Sequence, residues 1–396
     1  VSATIRAIGT AVPETTLEQA AVRDLFASQP DLGRLGRRLV PAAFDASAVE
    51  HRHTVLDELD STRPSGAFRD DQGVLRSPST GTRNDRYREL APALFVAAAR
   101  DAVDRSGVTP ESITHVVTVS CTGFTQPGPD LDVVTELGIP CTVFRQHIGF
   151  MGCCAAFPAL RIAAAFAESV PSAVVLVVCA ELCTLHVRAS DDPDQIVANS
   201  VFGDGAAAAV VTADGPGLRL DDFATTVVPE GASEMAWNIG DEGFEMVLST
   251  AVPKLVGATV AEAVAPLLSA VGSAAVDVPT WAVHPGGRAI LDRTQVALGL
   301  PDAALAASRA VLRDHGNVSS ATVLFVLRQV LDDGIDDGAP VIALAFGPGL
   351  TVEAARLTAV GSMRPSIPTR ELHEPAKAAT AAARDHAVET ATTGAS

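Results

Sequence analysis

Positive charge is scarce in this sequence: 29 lysines and arginines face 47 aspartates and glutamates, for a formal net charge of −18. Nucleic acid and anionic membranes repel such a surface, so neither is expected as a partner, and an anionic substrate needs a locally basic entrance. Cysteine is sparse as well. The six residues Cys121, Cys141, Cys153, Cys154, Cys179 and Cys183 cluster in one region. That excludes a disulfide-stapled secreted fold, and no paired Cys-x-x-Cys units or Cys/His spacing points to zinc. Long apolar runs are missing: the longest, residues 91–99 and 173–180, fall far short of the roughly 20 residues that span a bilayer. Residues 1–10 lack the basic and apolar regions of a signal peptide. These absences predict a cytoplasmic protein with reduced thiols and no membrane span.

Aromatic residues are few, with one tyrosine and two tryptophans, so the core must be aliphatic. The chain is 47% hydrophobic and 19% charged over 396 residues, which reads as an Ala/Val/Leu-rich α/β protein of about two to three domain-sized units. Strands are predicted over residues 5–13, 113–120, 173–180, 206–212, 281–284, 341–346 and 350–356, with extended segments over 218–228. Helices are predicted over residues 17–28, 87–106, 133–137, 158–168, 244–268, 289–298, 301–311 and 322–331. Residues 63–86 read as a long loop. Asp214-Gly215-Pro216-Gly217 is the best candidate domain boundary, giving units over residues 1–215 and 216–362. Both hold strand, glycine turn and buried helix in similar order, which points to a duplicated α/β unit. Residues 363–396, rich in Pro, Ala, Thr and charge, are expected to form a mobile tail.

The stretch Gly149-Phe150-Met151-Gly152-Cys153-Cys154-Ala155-Ala156-Phe157-Pro158 is where chemistry is concentrated. A small-residue loop there feeds a helical run, placing a thiol near a helix N-terminus, where unpaired N–H groups favour thiolate. Pro158 constrains the start: a helix beginning near Ala155 makes it the third residue, where no backbone bond is lost. Cys153 then lies just before the first turn. A lone cysteine is more often inert packing, so partners must decide. His284, between a predicted strand and Pro285-Gly286-Gly287, and Asn317, at a Gly-Asn turn before a helix, supply a base and an oxyanion donor. Arg34, Arg37, Arg38, Arg52 and Arg63 concentrate cations in an acidic chain. They read either as a solvated face or as an entrance for a phosphate-bearing substrate such as coenzyme A.

On these residues and the motifs around them, the chain resembles the type III polyketide synthases of the chalcone and stilbene synthase superfamily. Five motifs carry the resemblance, in order: Gly152-Cys153 with Leu160-Arg161; Phe202-Gly203-Asp204-Gly205-Ala206-Ala207; Val283-His284-Pro285-Gly286-Gly287; Gly316-Asn317-Val318-Ser319-Ser320-Ala321; and Phe346-Gly347-Pro348-Gly349-Leu350. The resemblance implies a layered αβαβα thiolase-like fold, a homodimer, and the catalytic set Cys153, His284 and Asn317. It selects Cys153 over Cys154 by the spacing to Arg161. Acyl-CoA and malonyl-CoA are the implied substrates, with no metal or redox cofactor. Cys153, held as a thiolate by a His284 imidazolium, would carry the starter. His284 and Asn317 would stabilise the enolate left when malonyl-CoA loses CO₂, and repeated condensations would end in cyclisation.

The same resemblance implies that Thr122, His186, Phe202, Trp237, Met246, Ser319, Gly347 and Pro348 shape the substrate cavity, that Gln126 reaches the partner subunit's cavity, and that Arg34, Arg37 and Arg38 form the coenzyme A entrance. Trp237 stands where plant chalcone enzymes have glycine, His186 where they have threonine, and Met246 replaces a phenylalanine. Residues 237–246 look more like bacterial alkylresorcinol and alkylpyrone synthases, which implies a fatty acyl starter and a pyrone or resorcinol product. Two alternatives are a ketoacyl-acyl-carrier-protein synthase making a single condensation and a thiol redox protein using vicinal Cys153 and Cys154.

Overall fold

A computed structural model describes residues 3–361. The strands are β1 (Thr4–Ala11), β2 (Thr15–Glu18), β3 (His51–Thr54), β4 (His115–Val119), β5 (Phe144–Ile148), β6 (Val174–Leu182), β7 (Asp204–Thr212), β8 (Gly217–Val227), β9 (Met235–Gly240), β10 (Gly243–Leu248), β11 (Thr280–Val283), β12 (Pro340–Gly347) and β13 (Thr351–Val360). The helices are α1 (Gln19–Ala27), α2 (Arg34–Ala46), α3 (Thr80–Ser106), α4 (Pro129–Leu137), α5 (Ala156–Ser169), α6 (Pro193–Val201), α7 (Val252–Ser269), α8 (Arg288–Leu298), α9 (Ala306–His315) and α10 (Thr322–Asp333).

Nine strands form one mixed sheet in the order β11-β12-β13-β8-β1-β7-β6-β4-β5. Its halves repeat one pattern. In the first, β4 and β6 run parallel and β6, β7 and β1 antiparallel; in the second, β11 and β12 run parallel and β12, β13 and β8 antiparallel. The halves join where β1 pairs with β8 at Thr4 and Ile5.

Layering follows from which way the strand residues point. Alternate side chains of a strand face opposite sides, and here both sides are buried, which is why β6 and β7 read as unbroken apolar runs. Val175, Val177 and Cys179 of β6 pack with Ala159, Ala163 and Ala167 of α5 and with Val323, Val326 and Val330 of α10. The alternate residues Leu176, Val178 and Ala180 pack instead with Phe95, Ala98 and Ala102 of α3. On β12, Val341, Ala343 and Ala345 face the α5/α10 layer, while Ile342, Leu344 and Phe346 face Val256, Val260 and Val264 of α7. Helices therefore lie outside each half-sheet, with α5 and α10 between them, giving the five layers αβαβα.

Two expectations need correction. Residues 63–86 are not loop throughout: α3 begins at Thr80 because the Ser79 hydroxyl caps it, accepting from the Thr82 N–H, and it ends as expected at Gly107, left-handed at φ 71°. The helix expected over residues 244–268 starts only at Val252. Ahead of it, β9 and β10 form a hairpin with Gly240 paired to Gly243, and Gly243 at φ 113° takes a turn conformation that other residues resist. Strand β5 was not anticipated, because its Phe144-Arg145-Gln146-His147-Ile148 sequence is polar and largely exposed at the sheet edge. Among the described residues, α7 alone is long and apolar enough by composition to cross a membrane. Its Val252, Val256, Val260, Val264 and Leu267 stripe is buried in the protein core. The expected tail, residues 363–396, lies outside the described residues.

Candidate active site

Cys153 sits in a 3-10 turn, Gly152–Cys154, between β5 and α5. As Pro158 requires, α5 starts at Ala156, making the proline its third residue, and the first helical bond runs from Ala159 N–H to Ala155. Gly152 adopts φ 64°, and a Cβ there would press on Pro348 Cδ at 2.6 Å, so the turn admits only glycine. The adjacent cysteines diverge. Cys154 turns into the core with its Sγ on the Met151 carbonyl at 3.3 Å, whereas the Cys153 Sγ faces Asn317 and Ser319. A vicinal redox pair is thus not poised; all six cysteines are free.

Asn317 and His284 come from the second half of the chain. Asn317 is fixed by its backbone: its N–H donates to Val201 O at 2.7 Å and its carbonyl accepts from Gly203 N–H at 3.0 Å. Its side-chain oxygen accepts from Ser319 N–H at 2.8 Å. That bond orients the carboxamide, leaving Nδ2 as the donor turned to the Cys153 Sγ, 3.9 Å away. Ser319 takes a left-handed conformation, φ 47°, unusual for a serine, and it puts Oγ 3.7 Å from Cys153 Sγ. His284 follows β11, with its N–H on Leu344 O and its carbonyl accepting from Gly286 N–H. The residue is 1% exposed, and neither ring nitrogen has a hydrogen-bond partner.

The structure shows no hydrogen bond of the kind a thiolate–imidazolium pair would make. His284 makes no hydrogen bond to Cys153, and burial pulls its imidazole down to about 3 while burial pushes the Cys153 thiol up to about 11. Residue Cys153 retains partial exposure, but its sulfur is surrounded by protein, and low-dielectric surroundings favour the neutral form of both groups. Burial thus weighs against ionisation of both groups, with the Ser319 and Asn317 hydrogen bonds partly relieving the thiol.

All three side chains line one cavity with about 70 Å³ of internal space. Thr122, His186, Phe202, Trp237, Met246, Ser319 and Pro348 share that lining. Thr122 offers no free hydroxyl, since it donates to Glu181 and accepts from Leu182 N–H, each at 2.9 Å. His186 is equally committed: Nε2 bonds Thr122 O at 2.7 Å and Nδ1 accepts from Phe244 N–H at 3.0 Å, with burial holding the ring neutral at about 3. Trp237 Nε1–H donates to Cys121 O at 2.9 Å, fixing the hairpin to the loop after β4.

Gly347 does not line the cavity; it lies under Cys154, where a Cβ would collide with the sulfur. Gln126 faces a second concavity with Tyr87, Phe124, Asp130, Arg145 and His147. Arg34, Arg37 and Arg38 are exposed on α2, outside the lining, with the Arg37 guanidinium on the Leu32 and Pro30 carbonyls. Arg52 fits neither reading of the cation group, being 2% exposed and bonded internally.

Sequence reasoning missed Glu181, whose carboxylate accepts from Cys121 N–H and from the Thr122 and Ser320 hydroxyls behind the cavity wall. Its signal was present, a lone acid closing the apolar strand β6. Met235, Leu248 and Ile290 of the lining carry no such signal.

Comparison with known proteins identifies the family. The sequence matches chalcone and stilbene synthases, N-terminal domain, over residues 1–215, and chalcone and stilbene synthases, C-terminal domain, over residues 219–361. It is 32% identical over 361 residues to a 3,5-dihydroxyphenylacetyl-CoA synthase from Streptomyces toyocaensis, covering 88% of each chain. Among solved structures, it superposes on PKS-I of the brown alga Ectocarpus siliculosus with TM-score 0.84 and 28% identity, covering 91% of this chain and 99% of that one. It superposes equally on the C-terminal type III polyketide synthase domain of Steely1 from Dictyostelium, with TM-score 0.84, 26% identity, and coverage of 91% and 100%. The family match decides against the carrier-protein synthase and redox alternatives. With both of its halves matched and a cysteine, histidine and asparagine gathered at one cavity, the chain belongs to the chalcone and stilbene synthase family and is a type III polyketide synthase.

Proposed function

We propose that Cys153 is the acyl carrier of this polyketide synthase, with His284 and Asn317 as its catalytic partners. The observation that carries the reading is the convergence of the three on one apolar cavity, with the Asn317 donor aimed at Cys153. As a starter acyl-CoA enters, His284 takes the thiol proton, the sulfur attacks the thioester carbonyl, and coenzyme A leaves as its thiol with that proton. Malonyl-CoA, or a substituted malonyl-CoA, then places its thioester oxygen between the His284 N–H and Asn317 Nδ2. These donors stabilise the enolate formed as CO₂ departs. The enolate carbon bonds to the acyl carbon on Cys153, the sulfur is released, and the lengthened chain, now on coenzyme A, can return to Cys153. No step requires a metal or redox group.

The apolar lining from Met235, Met246, Leu248 and Ile290 supports an apolar starter, in keeping with the alkyl chain expected from the hairpin sequence. The name of the Streptomyces relative supports closure to a dihydroxyphenyl product rather than a lactone. Arg34, Arg37 and Arg38 serve as the entrance for coenzyme A phosphates: α2 is tied to the start of α6, a wall of the cavity, through Asp191 on the Gly33 and Gly36 N–H groups. A second copy of the chain covers β5, an exposed sheet edge bearing Phe144 beside exposed Phe150 and Met151. Gln126 lies on that side, facing Arg145 and His147 of β5 across the second concavity. Free thiols and coenzyme A thioester substrates fit a cytoplasmic enzyme.

The test separates half-reactions. Asn317→Ala is expected to lower CO₂ release from malonyl-CoA by about 100-fold or more, the usual cost of an oxyanion donor, and to leave starter loading on Cys153 nearly intact. Equal losses in both would remove Asn317 from the assigned role.

A further inference from the structure

Helix α6 ends at Phe202, and the last carbonyls of a helix have no partner within it. In this chain four successive carbonyls there are each satisfied from elsewhere. Asn199 O and Phe202 O accept from Arg52 Nη1 at 2.6 and 2.8 Å. Ser200 O accepts from Gln19 Nε2 at 2.8 Å, and Val201 O accepts from the Asn317 N–H at 2.7 Å. The bond that seats Asn317 is therefore bracketed by those of Arg52 and Gln19. These two are joined in turn, Arg52 Nη2 donating to Gln19 Oε1 at 2.7 Å, and Gln19 is anchored on Ser47 Oγ at 2.8 Å.

Both side chains are buried, Arg52 at 2% exposure and Gln19 at 8%. Arg52 has no hydrogen bond to a carboxylate: the nearby Asp204 is spent on Val55 N–H and on Thr184 N–H and Oγ. A buried guanidinium directed at helix carbonyls is stabilised by the negative end of the helix dipole, and burial lowers it only to about 9, so it remains charged at neutral pH. Backbone also closes tightly here, since a Cβ on Gly203 would lie 2.9 Å from His315 O and 3.2 Å from Arg52 Cβ.

We infer that Arg52, braced by Gln19, is a positioning residue for Asn317: it fixes the end of α6, on which the Asn317 backbone hangs, and so sets where the carboxamide meets the malonyl thioester. The seam joins the two halves of the molecule, because α6 belongs to the first and Asn317 to the second. The inference rests on the role assigned to Asn317 above.

The experiment compares Arg52→Met, Arg52→Lys and Asn317→Ala with the parent protein, by CO₂ release from malonyl-CoA, by mass spectrometry of Cys153 acylation, and by amide hydrogen exchange. For Arg52→Met the expected result is a loss of CO₂ release of roughly tenfold, part of what removing an oxyanion donor costs, with acylation within about twofold. The amides of Gly203 and Asn317 should exchange faster while those of β12 and β13 hold their protection. Arg52→Lys should recover most of the CO₂ release. Unchanged protection at Asn317, or equal loss of both half-reactions with faster exchange throughout the sheet, overturns the inference. If Arg52→Met does not fold, Gln19→Met removes the Ser200 bond and the brace, and the same criteria apply. Should Asn317→Ala leave CO₂ release intact, the role of Asn317 fails, while the exchange arm still decides whether Arg52 seats it.

Discussion

The charge state of the resting Cys153 and His284 controls how the enzyme meets a thiol reagent across pH. Burial pushes the Cys153 thiol from 9.0 up to about 11 and pulls His284 from 6.5 down to about 3. A thiol titrating near 11 is ionised to about one part in 10⁴ at pH 7, against about one part in 100 for one titrating at 9, so thiolate is scarcer by roughly a hundredfold. The hydrogen bonds from Ser319 and Asn317 act in the opposite direction but do not outweigh burial. The perturbation is pH, from 6 to 10, and the assay is iodoacetamide labelling of Cys153 followed by peptide mass spectrometry. Labelling should be slow at pH 7 and rise close to tenfold per pH unit with no plateau below pH 9. His284→Gln should leave this profile of the resting enzyme unchanged and abolish starter loading, since the base is needed only when substrate arrives. Fast labelling at pH 6 with a plateau through neutrality would demonstrate a thiolate–imidazolium pair and refute the reasoning.

Other consequences are as concrete. Gly347→Ala drives a methyl group into Cys154 Sγ, with Met151 O at 3.0 Å and unable to yield without moving the nucleophile turn. It should cost about 1–3 kcal/mol, visible as a lower Tm, and slow Cys153 acylation; a variant with unchanged Tm would show that the turn has slack. His186 and His284 are both neutral and buried, held down to about 3. The unfolded chain binds their protons below about pH 6.5 and the native protein does not, so their contribution is complete above 6.5 and is lost as pH falls towards 3. The slope is up to about 1.4 kcal/mol per pH unit for each. His284→Gln should reduce the slope of stability against pH in urea titrations between pH 6 and 4; an unchanged slope would mean that the histidine is charged when folded.

Much of the fold was legible because buried strands and helices announce themselves by apolar period and by glycine. The strands β6, β7 and β12, buried on both faces, could be read from sequence, and the start of α5 followed from Pro158 alone. The β9–β10 hairpin was misread because Phe244-Glu245-Met246-Val247-Leu248 runs on into a true helix, and only pairing with residues 235–240 distinguishes it. At the site, motif residues identify who is present, but not how they stand. The carboxamide of Asn317 is oriented by a Ser319 N–H two residues on, and that neither ring nitrogen of His284 finds a hydrogen-bond partner is a matter of side-chain placement. Arg52 illustrates the same limit. It sat in a run of cations that read as surface, and only burial against α6 separates it from exposed Arg34, Arg37 and Arg38.

The central claim, that Cys153 carries the acyl chain and Cys154 is packing, is tested most directly by intact-protein mass spectrometry after incubation with an acyl-CoA. The parent protein and Cys154→Ala should each gain the mass of one acyl group, mapped by peptide analysis to Cys153, because Cys154 points into the core with its Sγ on Met151 O. Cys153→Ala should gain none and make no polyketide. Acylation that persists in Cys153→Ala and disappears in Cys154→Ala would contradict the account.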